Sequence, residues 1–192
     1  MPRSKFLWID LETSGLDPKK AGIIQAACIV EIEGEVIARK EFFMNPVGKE
    51  LNSVALNING YSQETVMAFP PAVEVKKEIQ SFMDEHVDKF NPLDKFFVAG
   101  YNVNFDMEFL SELWADSGDV YIRSYFHAPR LDVMNVQALM ENINLSARPK
   151  KYTLSALCDF YGIEVKGAHN AAVDIENTRM VYKAMKNKIR EV

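Results

Sequence analysis

The amino-acid sequence predicts an α/β fold in which a mixed central sheet of about five strands, the first three antiparallel, is flanked by helices. Three observations predict it. Strand-like runs come first, helices and strands alternate afterwards, and one later strand ends in a Gly-Tyr-Asn turn that leads straight into a helix, which implies a parallel crossover. The 192 residues, 48% hydrophobic and 26% charged, fit one domain, residues 1–192, with a sizeable core.

Residues 5–12, Lys-Phe-Leu-Trp-Ile-Asp-Leu-Glu, are apolar on both alternating faces until the two acids, which is the pattern of a central strand buried on both sides. Segments 22–33 and 35–44, rich in Ile, Val and Phe, meet at Glu33-Gly34-Glu35 and read as an antiparallel hairpin. A loop-rich stretch with short helical pieces follows. Between Pro71 and Val87, the residues Val75, Ile79, Phe82 and Met83 recur at helical spacing and predict an amphipathic helix. Lys95 to Gly100 returns to strand character, and a helix is expected from about Phe105 to Ala115. Tyr121 to Asp132 is expected to add a strand and Val133 to Asn142 a helix. Leu154, Leu157, Cys158 and Tyr161 mark another helix that stops at Gly162, and the last runs from about Ala171 to Lys188.

No apolar run has the length needed to cross a bilayer, and Met1-Pro-Arg-Ser-Lys5 enters the first strand without an apolar leader, so a cytoplasmic protein with no membrane partner is expected. Cys28 and Cys158 lie among apolar neighbours and read as reduced core residues, offering neither a disulfide framework nor a zinc site. A net charge of -5 argues against gripping long duplexes through many phosphate contacts. An enzyme that holds only the last few nucleotides remains compatible with it, because cations bound in an acidic cluster reverse the local field.

The acids themselves carry the chemistry. Asp10 and Glu12 are two apart in the first strand and leave the face that also carries Phe6 and Trp8. Alone, such a pair is more often two solvated residues at a strand end. Asp106 has Phe109, Leu110 and Leu113 at +3, +4 and +7, which puts its carboxylate on the inward stripe of its helix, although the macrodipole also favours an acid in a first turn. Asp174 is placed alike, with Thr178, Val181 and Met185 at +4, +7 and +11. Inward acids need compensation, and with no matching set of interior lysines or arginines expected, divalent cations are the natural partners. Oxygen-only ligands select Mg2+ or Mn2+ over zinc, and two such ions about 4 Å apart suit in-line attack on a phosphodiester. His169 stands five residues before Asp174, so on a continuous helix the two side chains would diverge by about 140°; both reach one site if His169 lies in the preceding loop, beside Gly167. An imidazole there suits a general base. His86 and His127 read as surface residues.

Trp8-Ile-Asp10-Leu-Glu12-Thr-Ser-Gly-Leu16, Asn102-Val-Asn-Phe-Asp106 and His169-Asn-Ala-Ala-Val-Asp174 resemble, in order, the three motifs of the DnaQ-like, or DEDDh, exonucleases. The resemblance spans residue 6 to about 185, includes Tyr152-Thr-Leu-Ser-Ala-Leu-Cys-Asp-Phe-Tyr-Gly-Ile163, and leaves no catalytic position missing. It implies a ribonuclease H-like fold, two Mg2+ or Mn2+ ions, and release of nucleoside 5′-monophosphates from a 3′ end. Asp10, Glu12, Asp106 and Asp174 would ligate metal, and His169 would take the proton from the attacking water. Thr13 and Leu16 would lie against the terminal nucleotide and Asn102 near the substrate strand. Thr13 and Asn102 read equally as turn or cap residues and Leu16 as core, while Asp132 reads as structural.

The resembling proteins include proofreading subunits of replicative polymerases, RNA end-trimming enzymes and oligoribonucleases, and the segment from Trp8 to Pro18 also looks like the last group. The expected substrate is the 3′ end of single-stranded or frayed DNA, with RNA or short oligoribonucleotides as the alternative and a DNA polymerase left open as a partner. Proofreading subunits commonly carry a C-terminal extension, and this sequence ends a few residues after its last expected helix, so a stand-alone nuclease, or one recruited through its folded surface, is expected. A catalytically silent nucleic-acid-binding module is the third reading, and the inward acids count against it. Arg148, Lys150 and Lys151 read as a solvated cluster rather than a contact for substrate or partner.

Overall fold

The structure is a computed structural model, and it describes residues 4–165 and 170–191. Strand β1 (Lys5–Thr13) runs antiparallel to β2 (Ile23–Ile32), which runs antiparallel to β3 (Glu35–Phe43). The β2–β3 turn places Glu33 at φ 54° and Gly34 at φ 90°. Two successive positive φ values match the twist of the flanking strands, and the second is cheap only for glycine. Strand β4 (Phe97–Gly100) adds to the other side of β1 in parallel, and β5 (Leu131–Asp132) follows it, giving the order β3-β2-β1-β4-β5. The mixed five-stranded sheet with three antiparallel strands first is the fold class that the sequence predicts.

Alternation along β1 sends its side chains into two separate cores. Leu7, Ile9 and Leu11 pack with residues of α3 (Ala72–Asp84) and α4 (Val103–Asp116). Trp8 faces the other way, into a core built with α5 (Val133–Asn142), α6 (Leu154–Phe160) and α7 (Ala171–Arg190), where its ring lies 5.5 Å from that of Tyr182. A smaller cluster of Ile24, Leu56 and Val66 seats the short helices α1 (Ser53–Ile58) and α2 (Gln63–Met67) against β2. Cys28 and Cys158 are buried thiols. Among the described residues no helix is long and apolar enough to cross a membrane.

One expected strand is much shorter than predicted. Within Tyr121 to Asp132, residues Ile122–Tyr125 form a 3-10 turn, Phe126 makes an isolated parallel bridge to Phe96, and the strand itself is confined to Leu131 and Asp132. Ile122 and Tyr125, three apart, are the buried members of that turn, which is the period of a 3-10 turn and not of a strand. Pro129 follows, and it has no N–H to donate to a ladder.

Two basic residues are interior, yet neither is matched to the acids expected to bind metal. Arg179 is 2% exposed and donates from Nε (2.9 Å) and Nη2 (2.8 Å) to Glu31, and from Nη1 (2.8 Å) to Glu176. Lys76 is buried too, 3.0 Å from Asp119. These cations serve structural acids. Glu31, an acid standing in the apolar run of β2, is the sequence feature that could have revealed the arginine.

Candidate active site

The site forms where β1 outruns β4. Strand β4 pairs with β1 only at Phe6, Leu7 and Trp8, so the Leu11 N–H has no strand partner on that side and donates to Asp106 Oδ1 at 3.0 Å. Asp106 sits in the first turn of α4 and is 4% exposed, inward as its +3, +4, +7 neighbours predict. The approach of β4 to β1 is close. A Cβ on Gly100 would lie 2.8 Å from the Ile9 carbonyl and 3.1 Å from Val103 Cγ2, so only glycine fits at the start of the crossover. Asp132 reaches back from β5 to accept the Asn102 N–H (3.1 Å) and also caps α5 through the Met134 N–H (3.0 Å). Its role is structural, as the sequence suggests.

Carboxylate oxygens of Asp10, Glu12 and Asp174 all lie within 4.8 Å of one another. Asp10 and Glu12 leave one face of β1, and Asp174 comes from the first turn of α7, whose start is fixed by Asn170 accepting from the Ala172 and Val173 N–H groups (3.1 and 3.3 Å). Of the four expected acids, three therefore share one point. Asp106 is engaged with Leu11 and stands outside that group, yet its charge still acts on Asp10.

These groups resist ionisation. Burial, followed by the charges of Asp106, Asp174 and Glu12, raises the Asp10 carboxyl well above the usual range. Burial and then Asp174 push Glu12 up to about 7. Asp106 is pushed up to about 8, chiefly by burial, against which its own backbone N–H and that of Leu11 act. None of the influences on these three comes from a described lysine or arginine. An all-oxygen, partly buried donor set short of positive charge fits a hard divalent cation, whose charge would return the acids to their ionised state.

The expected substrate contacts divide. Leu16 is 86% exposed on the loop after β1, so the core reading fails for it. Thr13 is buried and its hydroxyl donates to the Gly15 carbonyl at 2.7 Å, a turn role. Asn102 is exposed and occupies the N-cap position of α4 at φ 54° without a side-chain cap bond, so its side chain does not fill the cap role. His169 lies outside the described residues. His86 and His127 are half-buried rather than surface residues, their rings 5.5 Å from Phe82 and 4.4 Å from Phe97. Arg148 pairs with Glu141 at 3.2 Å on an exposed loop. Asn59 and Tyr61 were not legible as site neighbours. Asn59 Nδ2 donates to the Thr13 carbonyl at 3.0 Å, and Tyr61 donates to Gln25 at 3.1 Å while sensing the charge of Glu12 after its own burial. Their one sequence sign is the Asn59-Gly60 turn.

Comparison with known proteins agrees with this geometry. The family model described as Exonuclease, of the RNase T type, matches residues 7–182. PolC-type DNA polymerase III of Staphylococcus haemolyticus is 28% identical over 192 residues, covering 100% of this chain and 12% of that protein. That of Staphylococcus aureus is 28% identical over 187 residues, covering 97% and 12%. Among solved structures, the zinc-bound form of E. coli exonuclease I with single-stranded DNA superposes with TM-score 0.82 at 24% identity, covering 97% of this chain and 41% of that one. E. coli exonuclease I with a dA16 oligonucleotide gives TM-score 0.82 at 22% identity, covering 98% and 42%. The chain thus spans about an eighth of the polymerases and about two fifths of exonuclease I. Three acids gathered at one point on this sheet, inside a family match that covers most of the sequence, establish that the chain belongs to the DnaQ-like 3′-5′ exonucleases of the ribonuclease H-like superfamily.

Proposed function

We propose that this protein removes nucleoside 5′-monophosphates one at a time from the 3′ end of DNA, using two Mg2+ or Mn2+ ions. The observation that carries the reading is the convergence of Asp10, Glu12 and Asp174 within 4.8 Å, with no described lysine or arginine acting on Asp10 or Glu12. Asp10, Glu12 and Asp174 would hold the cations, and Asp106, whose charge acts on Asp10, would complete the set. Divalent cations bound there supply Lewis-acid stabilisation of the charge that develops on the phosphodiester oxygens. His169 takes the proton of the attacking water. Leu16, exposed on the loop after β1, lies against the terminal nucleotide, Thr13 fixes the turn that begins that loop, and Asn102 offers its carboxamide to the strand. DNA is favoured over RNA because the polymerases in the comparison act on DNA by name and exonuclease I was solved with DNA strands.

The test is incubation with 5′-labelled single-stranded DNA, RNA and dinucleotides in Mg2+, Mn2+ or EDTA. A ladder that shortens from the 3′ end of DNA only with metal is expected. Preference for RNA or dinucleotides would replace the substrate while keeping the chemistry, and binding without cleavage on any of them would make the protein a silent module.

A further inference from the structure

A groove of about 710 Å3 runs along the outward side of α4. Its lining begins at Asn104, two residues before Asp106, and continues past Glu108 and Glu112. Lys19, on the loop after β1, and Arg123 and Arg130, from the segment between α4 and α5, also line it. All three cations are exposed. Among the described residues none of them has an ion-pair partner, and Arg130 donates only to the Asn104 carboxamide, at 2.5 Å. Of the two acids, Glu112 is matched by Lys49 at 3.5 Å, which leaves three free cations against Glu108 alone. In a chain of net charge -5, this is a local excess of positive charge, on a groove whose lining starts two residues before Asp106.

We propose that this groove carries the phosphate backbone of the single strand upstream of the 3′ end, with Lys19, Arg123 and Arg130 each facing a phosphate. The inference rests on the exonuclease reading above. A strand whose end sits among acids needs its attraction elsewhere, and exposed unpaired Lys and Arg on a track supply it without reading sequence. The Arg130–Asn104 bond ties the track to the first turn of α4, the same turn that presents Asp106.

The test compares wild type with K19Q/R123Q/R130Q on two substrates in Mg2+ or Mn2+. One is a 5′-labelled oligothymidylate of roughly 20 nucleotides, and the other is the p-nitrophenyl ester of thymidine 5′-monophosphate, which has no upstream strand. The triple variant should raise KM for the oligonucleotide about tenfold or more and lower the slope of log affinity against log salt by about 2, the loss of three single-strand phosphate contacts. Its rate on the ester should be unchanged, which also shows that the fold is intact. Glu108→Gln should shift KM for the oligonucleotide the opposite way. Unchanged KM and salt slope in the triple variant would overturn the proposal. Should wild type cleave neither substrate, the exonuclease reading fails first, and equal Kd of wild type and triple variant for the labelled oligonucleotide would then reject the groove on its own.

Discussion

Two acid clusters, one buried and one partly buried, lie along α7 about 1.4 turns apart, and they handle charge in opposite ways. At Arg179, the protein supplies the counter-charge itself: the guanidinium grips Glu31 from α7 across to β2, and Glu176 extends the network to Arg39 on β3 at 3.6 Å. At Asp174, the acids face one another. Both clusters sit in the same layer, so burial alone does not distinguish structure from function here. What distinguishes them is that a described guanidinium grips Glu31 and Glu176, whereas no described lysine or arginine acts on Asp10 or Glu12.

The sharpest way to break this contrast is to remove one acid from each cluster. Asp10→Asn should reduce metal-supported hydrolysis by at least about 10³-fold, because it removes a ligand, while leaving thermal stability in EDTA equal or higher, because it relieves repulsion. Initial rates of 3′ trimming together with melting curves check both halves; full activity, or a lower melting temperature, contradicts the assignment. His169→Ala should lower turnover by about 10²- to 10⁴-fold with melting unchanged, the contribution of a general base. Wild-type turnover in that variant would take His169 out of the chemistry.

Arg179→Met should do the reverse. It leaves Glu31 buried without a partner and should cost about 3–5 kcal/mol in urea unfolding, whereas adding Glu31→Met should recover most of that loss. A loss under about 1 kcal/mol would show that the pair is not buried in solution. The gentlest probe is pH. Glu12 and Asp106 rise to about 7 and about 8 in the folded chain, from ordinary values near 4.5 and 3.8. The folded state therefore binds more protons than the unfolded state across that window, and stability falls as pH rises through it. In EDTA, the melting temperature should drop on the order of 5 °C between pH 5 and pH 8, and Mg2+ or Mn2+ should flatten the dependence. A flat profile in EDTA would mean that the acids are already compensated.

Local pattern made much of this legible. The two-sided apolarity of β1, the Glu33-Gly34 turn and the inward stripe of Asp106 are properties of neighbouring residues, and the structure agrees with each. Features that depend on distant pairing were hidden. Arg179 and Glu31 are 148 residues apart, so the acid in the apolar run of β2 signals that a partner is needed but not which residue supplies it. Asp106 stands apart from the other three acids because β4 is too short to satisfy Leu11, a matter of sheet geometry. The aromatic and branched residues around Tyr121 favour strands by propensity, but the burial of Ile122 and Tyr125 follows a turn.

The contact at Gly100 limits how such a nuclease can be altered. With less than a methyl group's width between β4 and the Ile9 carbonyl, the platform beneath Asp10 has no slack. Directed evolution toward new substrates therefore has little to gain from the sheet. Its productive targets are the exposed rim, where Leu16 and α1 can exchange side chains while the carboxylates stay in register.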